Sequence, residues 1–368
     1  FPLGIHLMTQ KIEPTITGKS KNTAPSDKRH GKQIIRFTGS GKEYFGIWIV
    51  NVILSIITIG IYSAWAKVRR ETYFKNNTTI TDIGFGYHAT GLQIFKGRMI
   101  AFTALVVMNV ASTFFPLISL ALLIAIIFLL PWILNNSMRF AARMTSYRNI
   151  RFNWHGTYWK TFWFFIIAPV FSFISFGILM PLISKSYYTY FARSHSYGIS
   201  NFSCEPKVKD YYFAFGVGVV LPSALVTISI AILFLLFPMK ISNPLDAYGL
   251  SLFVPIALVT AIVFLSFLYA ILCRNLMMKS LVLSNVAKFD SEIGPLKYVW
   301  INISNLVVII LSLSLMLPWA KVRLYTYLAN CSKIELSGDL DKFVDETNKD
   351  KSSFGEELAE IEGFEVTI

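Results

Sequence analysis

Six long blocks without a charged side chain constrain this sequence more than any other feature. Each has at least 23 residues with no Asp, Glu, Lys or Arg, and a helix needs about 20 residues to cross a bilayer. The blocks are 44–66, 99–138, 161–184, 211–239, 247–273 and 298–320. Block 99–138 is long enough for two segments, with Pro116 as the turn, which makes about seven hydrophobic segments. Because charged residues are only 15% of the chain, against about a quarter in soluble domains, the sequence predicts a predominantly α-helical polytopic membrane protein.

A twelve-residue motif occurs twice. WAKVRRETYFKN begins at Trp65 and WAKVRLYTYLAN begins at Trp319, and an asparagine stands 14 residues before each, at Asn51 and Asn305. A weaker third copy, in the fourth hydrophobic segment, keeps a glycine and a Thr-Tyr-Phe triplet and loses the tryptophan. Self-similarity of this kind predicts a structure built from internal repeats. We therefore expect residues 34–338 to form one repeat-built membrane domain.

Short alternating stretches follow the basic ends of the apolar segments. Alternation of apolar and polar residues is typical of strands that are buried on one face. Because isolated two-stranded pieces are only marginally stable in water, we expect these short β-strands to collect in one cytoplasmic layer. The six stretches are 34–41, 78–91, 149–157, 197–205, 281–289 and 332–338.

The distribution of positive charge bears on how the segments are arranged. Of the 34 Lys and Arg residues, 33 lie before the first block or in the segments that carry the strands. If every segment crossed the membrane once, the two sides would hold nearly equal numbers, which conflicts with the cytoplasmic preference of Lys and Arg. If the first, fourth and seventh segments enter the membrane and return, all strand-bearing segments lie on one side. The candidate turns for this second arrangement are 58–60, 175–177 and 312–314.

Several stretches of the sequence resemble a known family. They are YFGIWIVN…TIGIYSAWAKVRRETYFKNNT, the following FGYHATGLQIFKGR, and the closing GEELAEIEGFEV. These stretches are similar to the YjgN-type family of bacterial inner-membrane proteins, and the resemblance covers about residues 34–368. It implies a multi-pass protein of the bacterial inner (plasma) membrane. It brings no catalytic or ligand residues, because the family is known mainly as uncharacterised membrane proteins.

The two ends of the chain differ from the membrane domain. Residues 1–33 are rich in Lys, Ser, Thr and Pro, which predicts a disordered basic segment, and Met8 is a candidate natural start. Residues 339–368 form an acidic tail. Long acidic tails are usually free in solvent. Ser353 and Glu356 have the spacing of a capping box, however, so we expect a short helix there that docks on the basic face.

The WAKVR motif supplies the residue types that gather at a membrane surface. Trp prefers the headgroup zone, and Lys and Arg flank membrane segments on the cytoplasmic side. The simpler interpretation is an anchor that sets the depth of the helix. The alternative is a binding site in which the basic residues of two copies converge on a phosphate or carboxylate, with intramembrane asparagines as further polar groups. The candidate binding residues are Lys67, Arg69, Lys321, Arg323, Asn51 and Asn305.

Signatures of catalysis are lacking in the sequence. Cys204, Cys273 and Cys331 lie far apart without metal-ligand spacing, and no nucleotide-binding loop is present. His88 and His155 occupy like places in successive strands, either as a functional pair or as a structural position inherited by repetition. No carboxylate lies within an apolar block, which argues against ion coupling through an acid at the membrane centre. We predict that the protein is not an enzyme and uses no cofactor or metal.

Two functional classes remain. The first is a permease-like protein for a small solute or lipid, whose broken helices are lined by asparagine. The alternative is a non-transporting membrane scaffold or a lipid-associated partner protein. In both, the expected partners are membrane lipids with anionic headgroups, and no nucleic acid, because the basic residues flank apolar segments. The sequence does not identify a small-molecule ligand.

Overall fold

The computed structural model describes residues 31–114, 116–236, 261, 264–284 and 286–336. The predicted disordered segment lies outside this range except for its last three residues. The acidic tail, with its predicted helix, lies outside it entirely.

Eleven strands of the described residues form a single antiparallel sheet. Its order is β1-β11-β10-β9-β8-β7-β6-β5-β4-β3-β2, so most strands pair with the strand next to them in the chain. The strands are β1 (Gly31–Ile34), β2 (Arg36–Phe37), β3 (Thr78–Ile80), β4 (Ile83–Tyr87), β5 (Thr145–Tyr147), β6 (Ile150–Trp154), β7 (His195–Tyr197), β8 (Ser200–Cys204), β9 (Leu281–Leu283), β10 (Ala287–Ser291) and β11 (Ser332–Leu336).

The two ends of this sheet meet in one stretch of chain. Only Ile35 separates β1 from β2, and its N–H donates to the carbonyl oxygen of Ser332 at 3.0 Å. On one side of Ile35 the chain pairs with β11, and on the other side it pairs with β3. The sheet therefore closes on itself, which leaves each hairpin between two neighbours.

Tight turns make hairpins of the strand pairs β3–β4 and β5–β6. Thr81 and Asp82 have φ angles of 51° and 63°, and Arg148 and Asn149 have φ angles of 47° and 64°. Two successive positive φ values are the signature of the turn whose twist matches that of the flanking strands. Each of these two strand pairs is therefore a tight hairpin.

In the described ranges, ten helices leave and re-enter the sheet in five pairs. In α5 and α7 a single π-helical turn interrupts the α-helix, at Trp163–Ile167 and Gly216–Val220. The helices are α1 (Gly41–Ile57), α2 (Ser63–Asn76), α3 (Gly91–Phe114), α4 (Pro116–Arg143), α5 (Tyr158–Ile174), α6 (Met180–Arg193), α7 (Val208–Phe215, continued through the π turn into Leu221–Leu236), α8 (264–279), α9 (Pro295–Leu311) and α10 (Leu317–Asn330).

The helix pairs pack on one another in chain order. Between pairs, α2 packs on α3, α4 on α5 and α6 on α7. The last helix, α10, packs on the first helix, α1, so the succession of pairs is joined end to end like the sheet below it.

Three of the pairs, α1–α2, α5–α6 and α9–α10, turn in the same way. The predicted breaks are confirmed, because each first helix ends before a turn that holds the third predicted residue at positive φ, namely Gly60 (86°), Gly177 (83°) and Ser314 (72°). The N–H of that residue donates to the carbonyl five residues earlier, a helix-ending geometry that favours glycine. These bonds are Gly60 to Ser55 at 2.7 Å, Gly177 to Ser172 at 2.8 Å and Ser314 to Ile309 at 2.7 Å.

The predicted fold class, a predominantly α-helical polytopic membrane protein with a small layer of six strands, is wrong. The part of the chain that the structure describes has eleven strands, and they build a closed sheet. Within the described ranges, three helices are long and apolar enough to cross a membrane: Gly91–Thr113, Leu120–Arg143 and Val208–Ser229.

Two physical reasons account for this difference. The three apolar blocks 44–66, 161–184 and 298–320 break near their middles, so α1 and α9 have 17 residues each, less than the length needed to cross. Two of the alternating stretches fold back through turns that carry Thr-Asp and Arg-Asn rather than the more recognisable Asn-Gly, so that one predicted strand becomes two.

The inside of the sheet is a packed core. One cluster of buried side chains joins residues of β3, β5, β6, β7, β9, β10 and β11. Two tyrosines link successive hairpins within it. The hydroxyl of Tyr147 donates to the carbonyl oxygen of Ile80 at 3.0 Å, and that of Tyr197 donates to the carbonyl oxygen of Tyr147 at 2.8 Å. Each hairpin is thus tied to the previous one by a buried hydrogen bond as well as by strand pairing.

We expect Ser314→Gly to raise the free energy of unfolding by about 1 kcal/mol, because a left-handed conformation costs a side chain roughly that much and glycine nothing. The reverse change at the matching turn, Gly60→Ser, should lower it by a similar amount. Helical circular dichroism during titration of the micellar protein with sodium dodecyl sulfate measures both. Equal effects of the same sign would contradict the equivalence of the two turns.

Candidate functional site

The tryptophan of each WAKVR motif packs against the neighbouring helix pair. Trp319 of α10 lies on Gly41, the first residue of α1, where any Cβ would overlap the indole ring, and its ring centroid is 5.0 Å from that of Phe45. The same contact joins Trp65 of α2 to Gly91, the first residue of α3. The motif therefore joins neighbouring pairs, and its second copy joins the last pair to the first.

The tyrosine that follows each motif holds its own helix pair together. In three pairs its hydroxyl lies within hydrogen-bond distance of the carbonyl oxygen of the residue just before the first helix. The contacts are Tyr73 to Ser40 at 2.9 Å, Tyr190 to Thr157 at 3.4 Å and Tyr327 to Gly294 at 3.2 Å. The returning helix is thereby fixed to the start of the outgoing one.

The two candidate arginines do not converge. Arg69 donates to the hydroxyl of Tyr62 at 3.2 Å, on its own helix pair. Arg323 donates to Ser304 Oγ at 2.8 Å and to Asn305 Oδ1 at 3.2 Å, also on its own pair. Both guanidinium groups thus support the fold of the hairpin that carries them.

The candidate asparagines are both buried but differ in their hydrogen bonds. Asn305 of α9 donates from Nδ2 to the carbonyl oxygen of Ala320 at 3.0 Å and accepts from Arg323, so it bridges α9 and α10. Asn51 occupies the corresponding place on α1. Its Oδ1 is buried and has no hydrogen-bond partner in the described part of the chain.

The candidate lysines have different surroundings. Lys321 is half-buried on α10, and its charged neighbours are Arg70 and Glu71 of the first helix pair. Arg70 and Glu71 themselves form an ion pair at 3.1 Å. Lys67 is half-buried on α2. Sequence reasoning missed Arg70 and Glu71, although a carboxylate within the basic motif was a signal that could have found them.

The two histidines singled out in the sequence make equivalent contacts. His88 Nε2 lies 2.7 Å from Ser146 Oγ, and His155 Nε2 lies 2.9 Å from Ser196 Oγ. Each joins the end of one hairpin to the first strand of the next. The neighbouring His195 lies in β7, where burial lowers its pKa.

A cavity of about 580 Å³ lies between α5 and α6, the pair whose motif has lost its tryptophan. Its lining includes Lys160 from α5, Lys185 and Arg193 from α6, and His155 from the end of β6. Arg193 also forms an ion pair with Glu205 at 2.9 Å. Sequence reasoning missed this cavity, although Lys185, the basic residue within the third copy, was a signal that could have found it.

A metal centre is not indicated in the described ranges. None of their groups of three or more His, Cys, Asp or Glu side chains is placed to hold a metal ion, and all three cysteines are free thiols.

The family comparison covers most of the chain. Residues 32–361 match the family described as "Bacterial protein of unknown function (DUF898)". The chain belongs to this family. Its relatives include the inner membrane protein YjgN of Salmonella typhimurium strain LT2, which is 25% identical over 377 residues, covering 90% of this chain and 94% of that protein.

Two further relatives match part of the chain. The inner membrane proteins YjgN of Escherichia coli O157:H7 and of Escherichia coli strain K12 are each 32% identical over 139 residues, which is 36% of this chain and 35% of each relative. No solved structure matches. The family assigns no role to individual residues, so the site rests on the geometry of this chain.

We expect Gly41→Ala and Gly91→Ala to lower the free energy of unfolding by about 1–3 kcal/mol, because the added methyl group must displace an indole ring in a packed contact. The matched controls are Gly46→Ala and Gly97→Ala in the same two helices, where a Cβ meets nothing within 4 Å. These should be neutral or stabilising by up to about 1 kcal/mol. The measurement is unfolding in mixed micelles, and equal losses in both sets would contradict the proposed contact.

We expect Asn305→Leu to cost about 1–3 kcal/mol of unfolding free energy, since it removes a bridge between helices and leaves a buried carbonyl of Ala320 with one bond fewer. Asn51→Leu should be neutral or stabilising, because the buried Oδ1 that it removes has no partner. The same unfolding measurement compares them. A larger loss for Asn51→Leu than for Asn305→Leu would overturn this account.

Proposed function

We propose that the protein is a multi-pass inner-membrane protein, built from a repeated helix pair, that works at one membrane face as a lipid-associated scaffold. The observation that carries this proposal is the single closed sheet. Its strands have two to five residues, far fewer than the roughly 9–11 that a membrane-crossing strand needs, so we place the whole sheet on one side of the bilayer. Every helical segment between two strands must therefore return to the side from which it left.

The three short helix pairs support partial insertion. Their turns carry no charge and leave Ile59, Phe176 and Leu313 94%, 95% and 88% exposed. Such exposure is unfavourable in water and favourable in hydrocarbon. A helix of 17 residues is about 26 Å long, shorter than the 30 Å hydrocarbon core. We propose that these pairs enter one leaflet and return, whereas α3–α4 and α7–α8 cross in pairs.

The orientation follows from charge. Of 34 Lys and Arg residues, 33 lie in the segments on the strand side of the apolar blocks, and such residues are retained in the cytoplasm. We therefore place the sheet on the cytoplasmic face, with the basic helix ends at the level of the anionic headgroups of the inner leaflet. The names of the relatives support the inner membrane as the location.

The hydrogen bonds of the polar side chains favour a scaffold over a permease. Asn305 and Arg323 satisfy each other and the α9–α10 contact, and the interior of the sheet is filled by an apolar core. A permease is the second candidate, and the observation in its favour is Asn51, whose buried Oδ1 lacks a partner among the described residues. An unpaired intramembrane amide is a group that a polar solute would use.

Cysteine labelling tests the arrangement in a background without the native cysteines. Thiols in two hairpins, Asn201→Cys and Ser284→Cys, should react with a membrane-impermeant maleimide in inverted vesicles and not in spheroplasts. Phe176→Cys, at a hairpin turn, should react in neither. The control Lys240→Cys, between blocks 211–239 and 247–273, should react in spheroplasts. Reaction of the two hairpin thiols from opposite sides would refute the one-sided arrangement.

A transport measurement separates the two candidates. Sealed liposomes that contain the purified protein are shrunk by a glycerol gradient, and light scattering reports glycerol entry. We expect the same rate as for empty liposomes. Faster entry that disappears in Asn51→Leu would favour the permease instead.

A further inference from the structure

The cavity between α5 and α6 has an unbalanced positive charge. Lys160, Lys185 and Arg193 line it, and no Asp or Glu is among its lining residues. Glu205, which directly follows β8, forms an ion pair with Arg193. Within the described ranges, neither lysine has a carboxylate partner. The volume of about 580 Å³ is within the range of small-molecule sites.

A second cavity extends this site towards the sheet. Its volume is about 490 Å³, and it shares His155 and Arg193 with the first. Its remaining lining comes from β8, including Asn201 and Ser203. Arg193 and His155 therefore line both cavities.

The wall of the cavity is held by a buried polar network. Asn135 Oδ1 accepts from the indole nitrogen of Trp154 at 3.0 Å and from Thr161 Oγ1 at 3.1 Å, and Tyr190 Oη lies 2.9 Å from Thr161 Oγ1. These four side chains come from α4, β6, α5 and α6 and are all buried. A satisfied network of this kind fixes the positions of the surrounding groups before a ligand arrives.

Two local features mark the cavity as more than a packing gap. The π-helical turn of α5 begins at Trp163, which lines the cavity with Phe164, and such turns are frequent at functional sites. The hydroxyl oxygen of Thr189, another lining residue, is buried without a hydrogen-bond partner in the described part of the chain.

The helix pair α9–α10 has a counterpart of Lys160 but none of Lys185 or Arg193. Lys160 and Lys297 hold the same place, each above the ring of its pair's tyrosine, at 5.9 Å from Tyr190 and 5.3 Å from Tyr327. At the places of the other two cations, α10 has Val322 and Asn330 in the sequence. The positive charges of Lys185 and Arg193 are thus specific to α5–α6 and are absent from the corresponding positions of α9–α10.

We propose that this cavity is a binding site for a phosphate group, held by Lys160, Lys185 and Arg193. Lys and Arg donors form strong charge-assisted hydrogen bonds with phosphate oxygens. Trp159, 73% exposed, and Trp163 stand at the rim, as tryptophans do at headgroup level. The site deepens the proposed function and rests on it only for the source of the phosphate, which is an anionic lipid headgroup or a free phosphate compound.

The test measures binding to the purified full-length protein in a neutral detergent. The probes are dihexanoyl phosphatidic acid, dihexanoyl phosphatidylcholine and inorganic phosphate, followed by calorimetry. We expect Lys160→Gln and Lys185→Gln each to weaken phosphatidic acid binding roughly 10-fold or more, from the loss of a charged hydrogen bond. The matched control is Lys297→Gln, which removes the equivalent lysine outside the cavity and should change the dissociation constant less than about 2-fold.

The arms of this test separate the sources of the phosphate. Tight binding of phosphatidic acid with weak binding of inorganic phosphate supports a lipid headgroup. Comparable binding of both, with the same losses in the two variants, supports the site with a free phosphate compound as its ligand. The proposal would be overturned if neither phosphatidic acid nor inorganic phosphate bound. It would also be overturned if Lys185→Gln and Lys297→Gln changed the dissociation constant equally. Because the protein is in detergent, the result does not depend on which membrane side holds the sheet.

Discussion

The hydrogen bonding of one closed sheet is the constraint on which the rest of this structure depends. Every strand of a hairpin has a partner on both sides, because the first stretch of the chain, 31–37, pairs with the last strand and with the first hairpin. In the part of the chain that the structure describes, each helix consequently has one end joined to a strand of this sheet. An apolar helix that starts there must come back there, whether or not it is long enough to cross a bilayer.

Two contacts of different kinds assemble the helices above the sheet. Within three pairs, a tyrosine hydroxyl fixes the returning helix to the start of the outgoing one, a bond of the order of 1 kcal/mol. Between pairs, Trp65 and Trp319 pack on glycines that leave room for an indole ring. These roles explain why WAKVR and the following Thr-Tyr recur, since the tryptophan–glycine contact and the tyrosine hydrogen bond are each made at more than one helix pair.

The α5–α6 pair departs from this scheme, and the departure creates the phosphate site that we propose. It has no tryptophan at the position of Trp65, its first helix contains a π turn, and Lys185 and Arg193 face a cavity instead of a packed contact. The tyrosine joint is kept, through Tyr190. This helix pair thereby keeps the tyrosine contact of α1–α2 and α9–α10 while it gains charge, which is how a function can be added without altering the fold.

The sequence by itself determined the local features of this protein. Uncharged blocks identified the apolar helices, and Gly60, Gly177 and the serine-rich step at Ser312 identified their breaks, because helix ending depends on neighbouring residues alone. The alternating stretches indicated strands but not their number, since the turn at Thr81 and Asp82 has no strong signal. Only the tertiary structure decided that the sheet closes, that Arg69 and Arg323 stay on their own pairs, and that residues 160, 185 and 193 share a cavity. Those outcomes depend on contacts between residues distant in the chain, which no local pattern encodes.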